Sequence, residues 1–386
     1  MGDGTLLAGL RVLDLSLWQP GHTATQLLAD LGADVVKVEP PGGDRMRPLA
    51  ERFANYNGRK KSVVLDLKQD SDRAEFTRLA AGAEVVVENY RPGVADRLGV
   101  GFDALRAVNP AIVLCSISGF GQAGPLAAAT GHDFNYQAYA GAFAVNSGGE
   151  PVPPAMLAGD QGSGLAAAFA ILAAVLCARR TGEGEHIDVA IADLLASWVA
   201  PMGPVDERRQ PRGGPEIQGT ADLPAFGWFL TADGRWVVLG VFSEDRLWDE
   251  LCRCLGLDQH VGLTMAQRGA DSGQLRDQIA GAIARWERAP LVELLSRRSV
   301  PAAPVLTRAE MLGHPHFRDR GILTDGADGY LAIGHPVRYA VHPARRPGPP
   351  PGLDEHRAEV LGHEAAGYRA PPQELPAGVT GGTEQP

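Results

Sequence analysis

Residues 9–39 read GLRVLDLSLWQPGHTATQLLADLGADVVKVE. Residues 9–15 have the character of a short buried strand. Residues 22–31 are rich in Ala and Leu and are stopped as a helix by Gly32. Residues 33–39 form a second strand, halted by Pro40-Pro41-Gly42-Gly43. Strand, short helix and strand within about 30 residues specify a βαβ unit, whose strands run parallel because a crossover joins them. The pattern continues outward. A third strand is predicted over 62–67, a helix over 71–81, a fourth strand over 83–88, a helix over 101–108 and a fifth strand over 111–117. This alternation points to a doubly wound domain. The expected fold class is α/β, with a Rossmann-like parallel-sheet large domain plus a smaller α+β domain.

A long apolar helix is expected over 160–180, broken by Thr181-Gly182-Glu183-Gly184-Glu185 before a strand over 186–191. The first domain is therefore taken as 1–202, and the polar, Pro- and Gly-rich stretch 203–224 as a linker. Residues 225–240 predict a hairpin turning at Asp233-Gly234, with helices near 244–255, 273–285 and 290–297. These make 225–325 the smaller domain. Residues 326–364 form a return segment with a short helix over 353–361, and 365–386 lack an apolar period and are expected to be disordered.

The net charge of −10 over 386 residues argues against non-specific nucleic-acid binding, which needs basic surface. Cys115, Cys177, Cys252 and Cys254 lack the spacing of a usual zinc site and are expected as buried thiols in a reducing compartment. No signal peptide is expected at the N-terminus. The longest apolar run, 165–178, ends in Arg179-Arg180 and predicts a core helix rather than a membrane span. These signs predict a cytoplasmic location. After the first strand comes Ser16-Leu17-Trp18-Gln19-Pro20-Gly21, not the glycine fingerprint of a dinucleotide fold, and no P-loop occurs.

Two stretches concentrate chemistry. Gly131-His132-Asp133-Phe134-Asn135-Tyr136 sets an imidazole beside a carboxylate, and Ala158-Gly159-Asp160-Gln161-Gly162-Ser163-Gly164 sets a lone carboxylate among small residues at the start of the long helix. Asp160 is either a helix N-cap or a reactive group. As a reactive group it pairs with His132 in acid–base chemistry or acts as a nucleophile. The flanking glycines suggest close approach of substrate to the backbone.

Several motifs together resemble the family III CoA-transferase superfamily, the carnitine dehydratase/bile-acid-inducible (CaiB/BaiF) group that also contains the α-methylacyl-CoA racemases. They are residues 9–15, 31–39, 57–68 (NGRKKSVVLDLK), 87–99 (VENYRPGVADRLG), 118–125 (SGFGQAGP) and 180–184 (RTGEG), in the family's order. The resemblance implies an interlocked homodimer, acyl-CoA thioester chemistry with CoA as part of the substrate, and no separate cofactor or metal. It also implies that CoA lies along Gln19, Leu65, Lys68, Asn89, Tyr90 and Arg97. Arg91 either steadies its loop or touches the diphosphate. The run Arg59-Lys60-Lys61 is either a solvated face or a contact to the adenosine 3′-phosphate. Pro40 stands where the family often has Arg, and Arg45 or Arg47 is the candidate substitute.

Asp160 matches the aspartate that the family uses in either chemistry. The sequence Gly131-His132-Asp133-Phe134-Asn135-Tyr136 resembles the racemases, with Asp133 as a structural hydrogen-bond partner. Glu244, ahead of Trp248, matches a glutamate that supports the racemase site. Racemisation of a 2-methylacyl-CoA, with His132 and Asp160 on opposite sides of the α-carbon, is therefore the first reading. Asp160-Gln161-Gly162-Ser163 lacks the aromatic that often follows the racemase aspartate. CoA transfer through an acyl anhydride on Asp160 is the alternative, and a CoA-binding protein without catalysis is the third.

Overall fold

The computed structural model describes residues 4–145, 149–152, 154–202, 223–326 and 329–362. The expected tail 365–386 and residues 203–222 of the expected linker lie outside them. The chain divides into two compact units, one of Met1–Gln137, Leu157–Leu195 and Ile322–Pro386, the other of Ala138–Met156 and Ala196–Gly321.

In the larger unit, β1 (Arg11–Asp14) leads into α1 (Gln19–Asp30), β2 (Asp34–Glu39), α2 (Ala50–Asn57), β3 (Lys61–Val64), α3 (Asp70–Ala81) and β4 (Val85–Glu88). The chain continues through α4 (Val94–Arg97), α5 (Phe102–Val108), β5 (Val113–Ser118) and α6 (Asp133–Tyr139). After the small hairpin β6 (Ala144–Val145) and β7 (Pro151–Val152), which falls with the smaller unit, come α7 (Ala158–Thr181), β8 (His186–Ala190) and α8 (Ile191–Val199). Six strands form one sheet in the order β3-β2-β1-β4-β5-β8, and every pair in it is parallel. The order reverses between β1 and β4. A sheet of this topology opens a crevice at the carboxyl ends of its strands there, because the crossovers leave that point in opposite directions.

The sequence explains the sheet. Val12 faces Val35 on one side and Val85 on the other. Val85, Val86 and Val87 are fully buried, as strands covered on both faces require. Helix α7 is apolar nearly all round, and α1 packs closely on it. A Cβ on Gly164 would lie 2.5 Å from Thr23 Cβ and 2.7 Å from Pro20 O, so the missing side chain sets how near α1 approaches. A Cβ on Gly159 would meet Ile191 Cγ2 at 2.7 Å and Asp133 Oδ1 at 2.8 Å. These two glycines therefore admit neighbouring protein, rather than the substrate suggested from sequence.

The basic run has a role that neither sequence reading gave it. Lys60 is buried, and its Nζ donates to Asp14 Oδ2 at 2.9 Å and to Thr25 Oγ1 at 2.7 Å. Lys61 pairs with Asp34 and Glu359, and Arg59 donates to Arg346 O. Beside Lys60, the buried Lys37 donates to Asp44 Oδ2 at 2.7 Å and to Ser16 O at 2.8 Å. His22 Nε2 lies 2.8 Å from Asp44 Oδ2 and 2.9 Å from Lys37 Nζ. Burial, then the charge of Lys37, pushes His22 down to about 4, so it is neutral at physiological pH. Arg47 is committed to Glu39 through both guanidinium–carboxylate contacts, at 2.7 and 2.5 Å, and is not free to replace the arginine missing at Pro40.

The return segment closes the β3 edge. His356 N donates to Ser62 O at 3.0 Å, Val64 N donates to Asp354 Oδ1 at 2.7 Å, and Arg357 donates to Val64 O. Backbone groups that would offer a pairing edge are thus occupied. The large unit takes chain from both ends, its last segment starting at Ile322 where the sequence reading began the return at 326. Residues 138–156, expected in the large domain, fall with the smaller unit. Their strand pairing is the local hairpin between β6 and β7.

The smaller unit contains a three-stranded antiparallel sheet of β9 (Phe226–Leu230), β10 (Trp236–Gly240) and β11 (Ala302–Pro304). Helices α9 (Asp245–Leu255), α10 (Met265–Ala270), α11 (Ser272–Ile283) and α12 (Arg288–Arg297) accompany it. Phe229, Val237 and Leu239 share its core with Trp248, Ile279 and Leu291. The α+β expectation and the hairpin at Asp233-Gly234 agree with this arrangement. Of the four cysteines expected to be buried, Cys115 and Cys252 are, whereas Cys177 is exposed and Cys254 is half-buried.

Candidate active site

A cavity of about 990 Å³ opens at the reversal point of the large sheet. Its wall takes Trp18, Gln19 and Pro20 from the segment after β1, and Asn89, Tyr90, Arg91 and Pro92 from the segment after β4. Ile117–Gly119 at the end of β5, Ile191 after β8, and Gly131–Tyr136 with Asp160 complete much of the remainder. The residues after β1 and β4 are tied together, since Leu17 N donates to Asn89 Oδ1 at 3.0 Å. Tyr90 N donates to Glu88 Oε2 at 2.5 Å, and burial pushes Glu88 up to about 7. Asn89 therefore holds the cavity's rim whatever else it touches.

Asp160 stands in the first turn of α7 and lines the cavity. Its backbone N–H donates to Asp133 Oδ1 at 2.8 Å, and Gln137 donates to the other oxygen of Asp133. Asp133, the buried first residue of α6, acts as the structural partner expected of it. The Asp160 N–H is consequently unavailable to hold an oxyanion. Burial, and secondarily the negative charge of Asp133, raises the Asp160 carboxyl from the usual range to about 7. No ion pair to the Asp160 carboxylate occurs among the described residues.

His132 precedes the first residue of α6, and its backbone N–H donates to Asn135 Oδ1 at 2.9 Å. Its imidazole is exposed on the same cavity wall as Asp160 and has no partner among the described residues. Further side chains lie near the aspartate. Gln161 donates to the Tyr56 hydroxyl, and Thr23 Oγ1 donates to Gln161 Oε1 at 3.4 Å. Tyr136 donates to Gly131 O and meets Phe120 edge-on, with ring centroids 5.2 Å apart. The charge of Asp160 adds to burial in raising both the Tyr56 and the Tyr136 hydroxyls, which places them within its field.

The cavity thus brings together Gln19, Asn89, Tyr90, Arg91, His132 and Asp160. Leu65, Lys68 and Arg97 are not among its lining residues. Leu65 is buried in the main core, which leaves only its backbone to meet a ligand, whereas Lys68 and Arg97 are exposed. Glu244 belongs to the smaller unit and accepts a hydrogen bond from Phe242 N at 3.1 Å at the start of α9. Sequence reasoning missed Arg52, Tyr56 and Gln161. Gln161 adjoins Asp160, but Arg52 and Tyr56 lie on α2, a helix the pattern did not reveal.

Comparison with known proteins identifies the family. The sequence profile of CoA-transferase family III matches residues 7–357. Succinyl-CoA:mesaconate CoA-transferase of Haloarcula hispanica is 36% identical, over 94% of this chain and 97% of its own. Alpha-methylacyl-CoA racemase of Mus musculus is 32% identical, over 92% of each. The crystal structure of a CaiB/BaiF family protein from Brucella suis superposes with a TM-score of 0.79 at 29% identity, covering 92% of this chain and 99% of that one. Relatives of both chemistries are enzymes, and the transferases support the alternative reading better than the racemase put first. With that profile matched over nearly its whole length, the chain belongs to CoA-transferase family III.

Proposed function

We propose that this protein moves CoA between an acyl-CoA and a free carboxylic acid, with Asp160 as the covalent carboxylate. Asp160 carries this reading: it is a carboxylate on the wall of a large cavity, held up to about 7 and faced by no ion-paired cation among the described residues. An anion that is not neutralised by a partner keeps its basicity and hence its nucleophilicity. Asp160 attacks the thioester carbonyl, the C–S bond breaks, and CoA leaves as thiolate. The thiolate then attacks the Asp160 carbonyl of the anhydride, releasing the first acid and leaving an aspartyl thioester. The acceptor carboxylate displaces the thiolate from this thioester to form a second anhydride. Attack by CoA on the acceptor's acyl carbon gives the new acyl-CoA and restores Asp160. The positive end of α7 favours the negative charge at each stage.

The identity to the succinyl-CoA:mesaconate transferase, 36% against 32% for the racemase, supports transfer. The exposed imidazole of His132 on the same wall favours α-proton exchange as the second reading. A CoA path past Gln19, Asn89, Tyr90 and Arg91, assembly as a homodimer, and a cytoplasmic setting belong to the same proposal. The test is trapping. Incubation with an acyl-CoA and hydroxylamine should convert Asp160 to its hydroxamate, read as a mass shift on that peptide, and His132→Ala should retain trapping. Deuterium uptake at the α-carbon in D2O without an acceptor, with no trapped Asp160, would reverse the order of the two readings.

A further inference from the structure

The segment 89–92 is a partition between two cavities. Asn89, Tyr90, Arg91 and Pro92 line the active-site cavity on one side. On the other lies a cavity of about 240 Å³ that takes Glu88, Arg91, Ser116 and His186 into its wall. Arg91 belongs to both walls, so a shift of this segment reshapes the two cavities together.

Glu88, the last residue of β4, anchors the partition. It is 2% exposed and makes no ion pair among the described residues. Two donors serve its carboxylate. Tyr90 N reaches it at 2.5 Å, and the Ser116 hydroxyl hydrogen-bonds it from the position opposite on β5. Ser116 Oγ lies 2.9 Å from His186 Nε2, and His186 stacks on Phe102 with ring centroids 5.5 Å apart. A chain of hydrogen bonds therefore runs from the exposed His186 through Ser116 and Glu88 to the backbone of Tyr90. Its polarity is fixed while Glu88 is ionised: the serine has one proton, gives it to the carboxylate and accepts from His186 Nε2. A protonated Glu88 has a proton of its own to place and is a weaker acceptor for Tyr90 N–H. The charges around it favour that neutral form. Asp96 on α4 and Asp188 on β8 both add to the effect of burial. Asp103 on α5 lines the same cavity, and Asp14 on β1 is engaged by Lys60.

We infer that Glu88 is a positioning residue for the ligand-binding segment 89–92: its carboxylate, oriented by Ser116 and His186, holds the Tyr90 backbone in place for CoA, and loss of its charge loosens CoA. The inference rests on the CoA path past Asn89 and Tyr90 proposed above. It holds whether transfer or α-proton exchange follows.

The test is CoA binding by calorimetry across pH 6 to 8, either side of the Glu88 titration, with no acyl group and hence no turnover. Wild type, Glu88→Gln, Ser116→Ala and Asn89→Ala are compared. The gap between a charged and a neutral acceptor predicts that wild type binds about 5-fold tighter at pH 8 than at pH 6, beyond any change seen in Glu88→Gln. Titrations common to both proteins, those of Asp160 and of the CoA phosphates, cancel in this comparison. Glu88→Gln should bind weakly throughout, and in turnover its loss should fall on KM for acyl-CoA and not on kcat. Ser116→Ala removes a donor that favours the ionised form, so the midpoint of the affinity profile should move to higher pH. A serine with a purely structural role would leave that midpoint in place, and this variant carries the test should Glu88→Gln fail to fold. Matching pH profiles for wild type and Glu88→Gln, or an unmoved midpoint in Ser116→Ala, would overturn the inference and leave the CoA path standing. Wild-type affinity in Asn89→Ala at every pH would instead remove the CoA path, and the inference with it.

Discussion

At the scale of single residues, Asp160 trades stability for reactivity. A carboxyl whose folded pKa lies above its unfolded value stabilises the protein fully below the unfolded value, and that contribution is lost as pH rises through the folded one. For Asp160 the window runs from the ordinary 3.8 to about 7. At neutral pH the ionised form is therefore a strain on the fold. Asp160→Asn removes the charge and should raise unfolding stability at pH 8 by on the order of 2 kcal/mol, the gap closing near pH 4. Chemical denaturation at the two pH values checks this, and a variant less stable than wild type at pH 8 would contradict it. The same titration sets activity: kcat/KM should rise with pH to a plateau through about 7 as the nucleophilic anion forms.

At the scale of elements, the buried ions beneath the cavity knit β1, β2, β3 and α1 together. Lys60 retains its pair with Asp14, although burial lowers it to about 8, while Asp14 is held well below the usual carboxylate range by the charges of Lys60 and Lys37 against the cost of burial. Lys60→Met leaves Asp14 buried and unpaired, and should cost about 3–5 kcal/mol in urea unfolding. The double variant with Asp14→Asn should recover much of that loss. Neither residue announced this from sequence. Lys60 sits between two other cations, and its partner lies 46 positions earlier, so only the sheet brings them together. The strands were readable because buried parallel strands are short runs of Val, Leu and Ile between turn residues. Helix α2 was not, since Ala50–Asn57 spans only 8 residues and sets its few apolar side chains among charged and amide ones. The site divided the same way. Asp160, His132 and Asn89-Tyr90 lie in contiguous motifs, whereas Arg52 reaches the cavity only through α2.

At the scale of the whole molecule, α7 leaves one face uncovered. Leu165, Phe169 and Leu176 are 61%, 74% and 70% exposed, and their spacing puts them on one side of the helix. α7 is also the one helix among the described residues long and apolar enough to cross a membrane, and 44% of its most apolar window is already buried. The homodimer proposed above would cover this face. Phe169→Glu should then shift sedimentation from dimer to monomer, and an unchanged dimer would place the interface elsewhere. The β3 edge carries a different consequence, one of timing. On a ribosome the strand emerges almost 300 residues before Asp354 and His356, which occupy its open side. At ordinary elongation rates that interval is on the order of tens of seconds. During it the nascent chain holds an unsealed template for pairing with its neighbours on the same message. Closure of this edge therefore lags its synthesis by that whole interval.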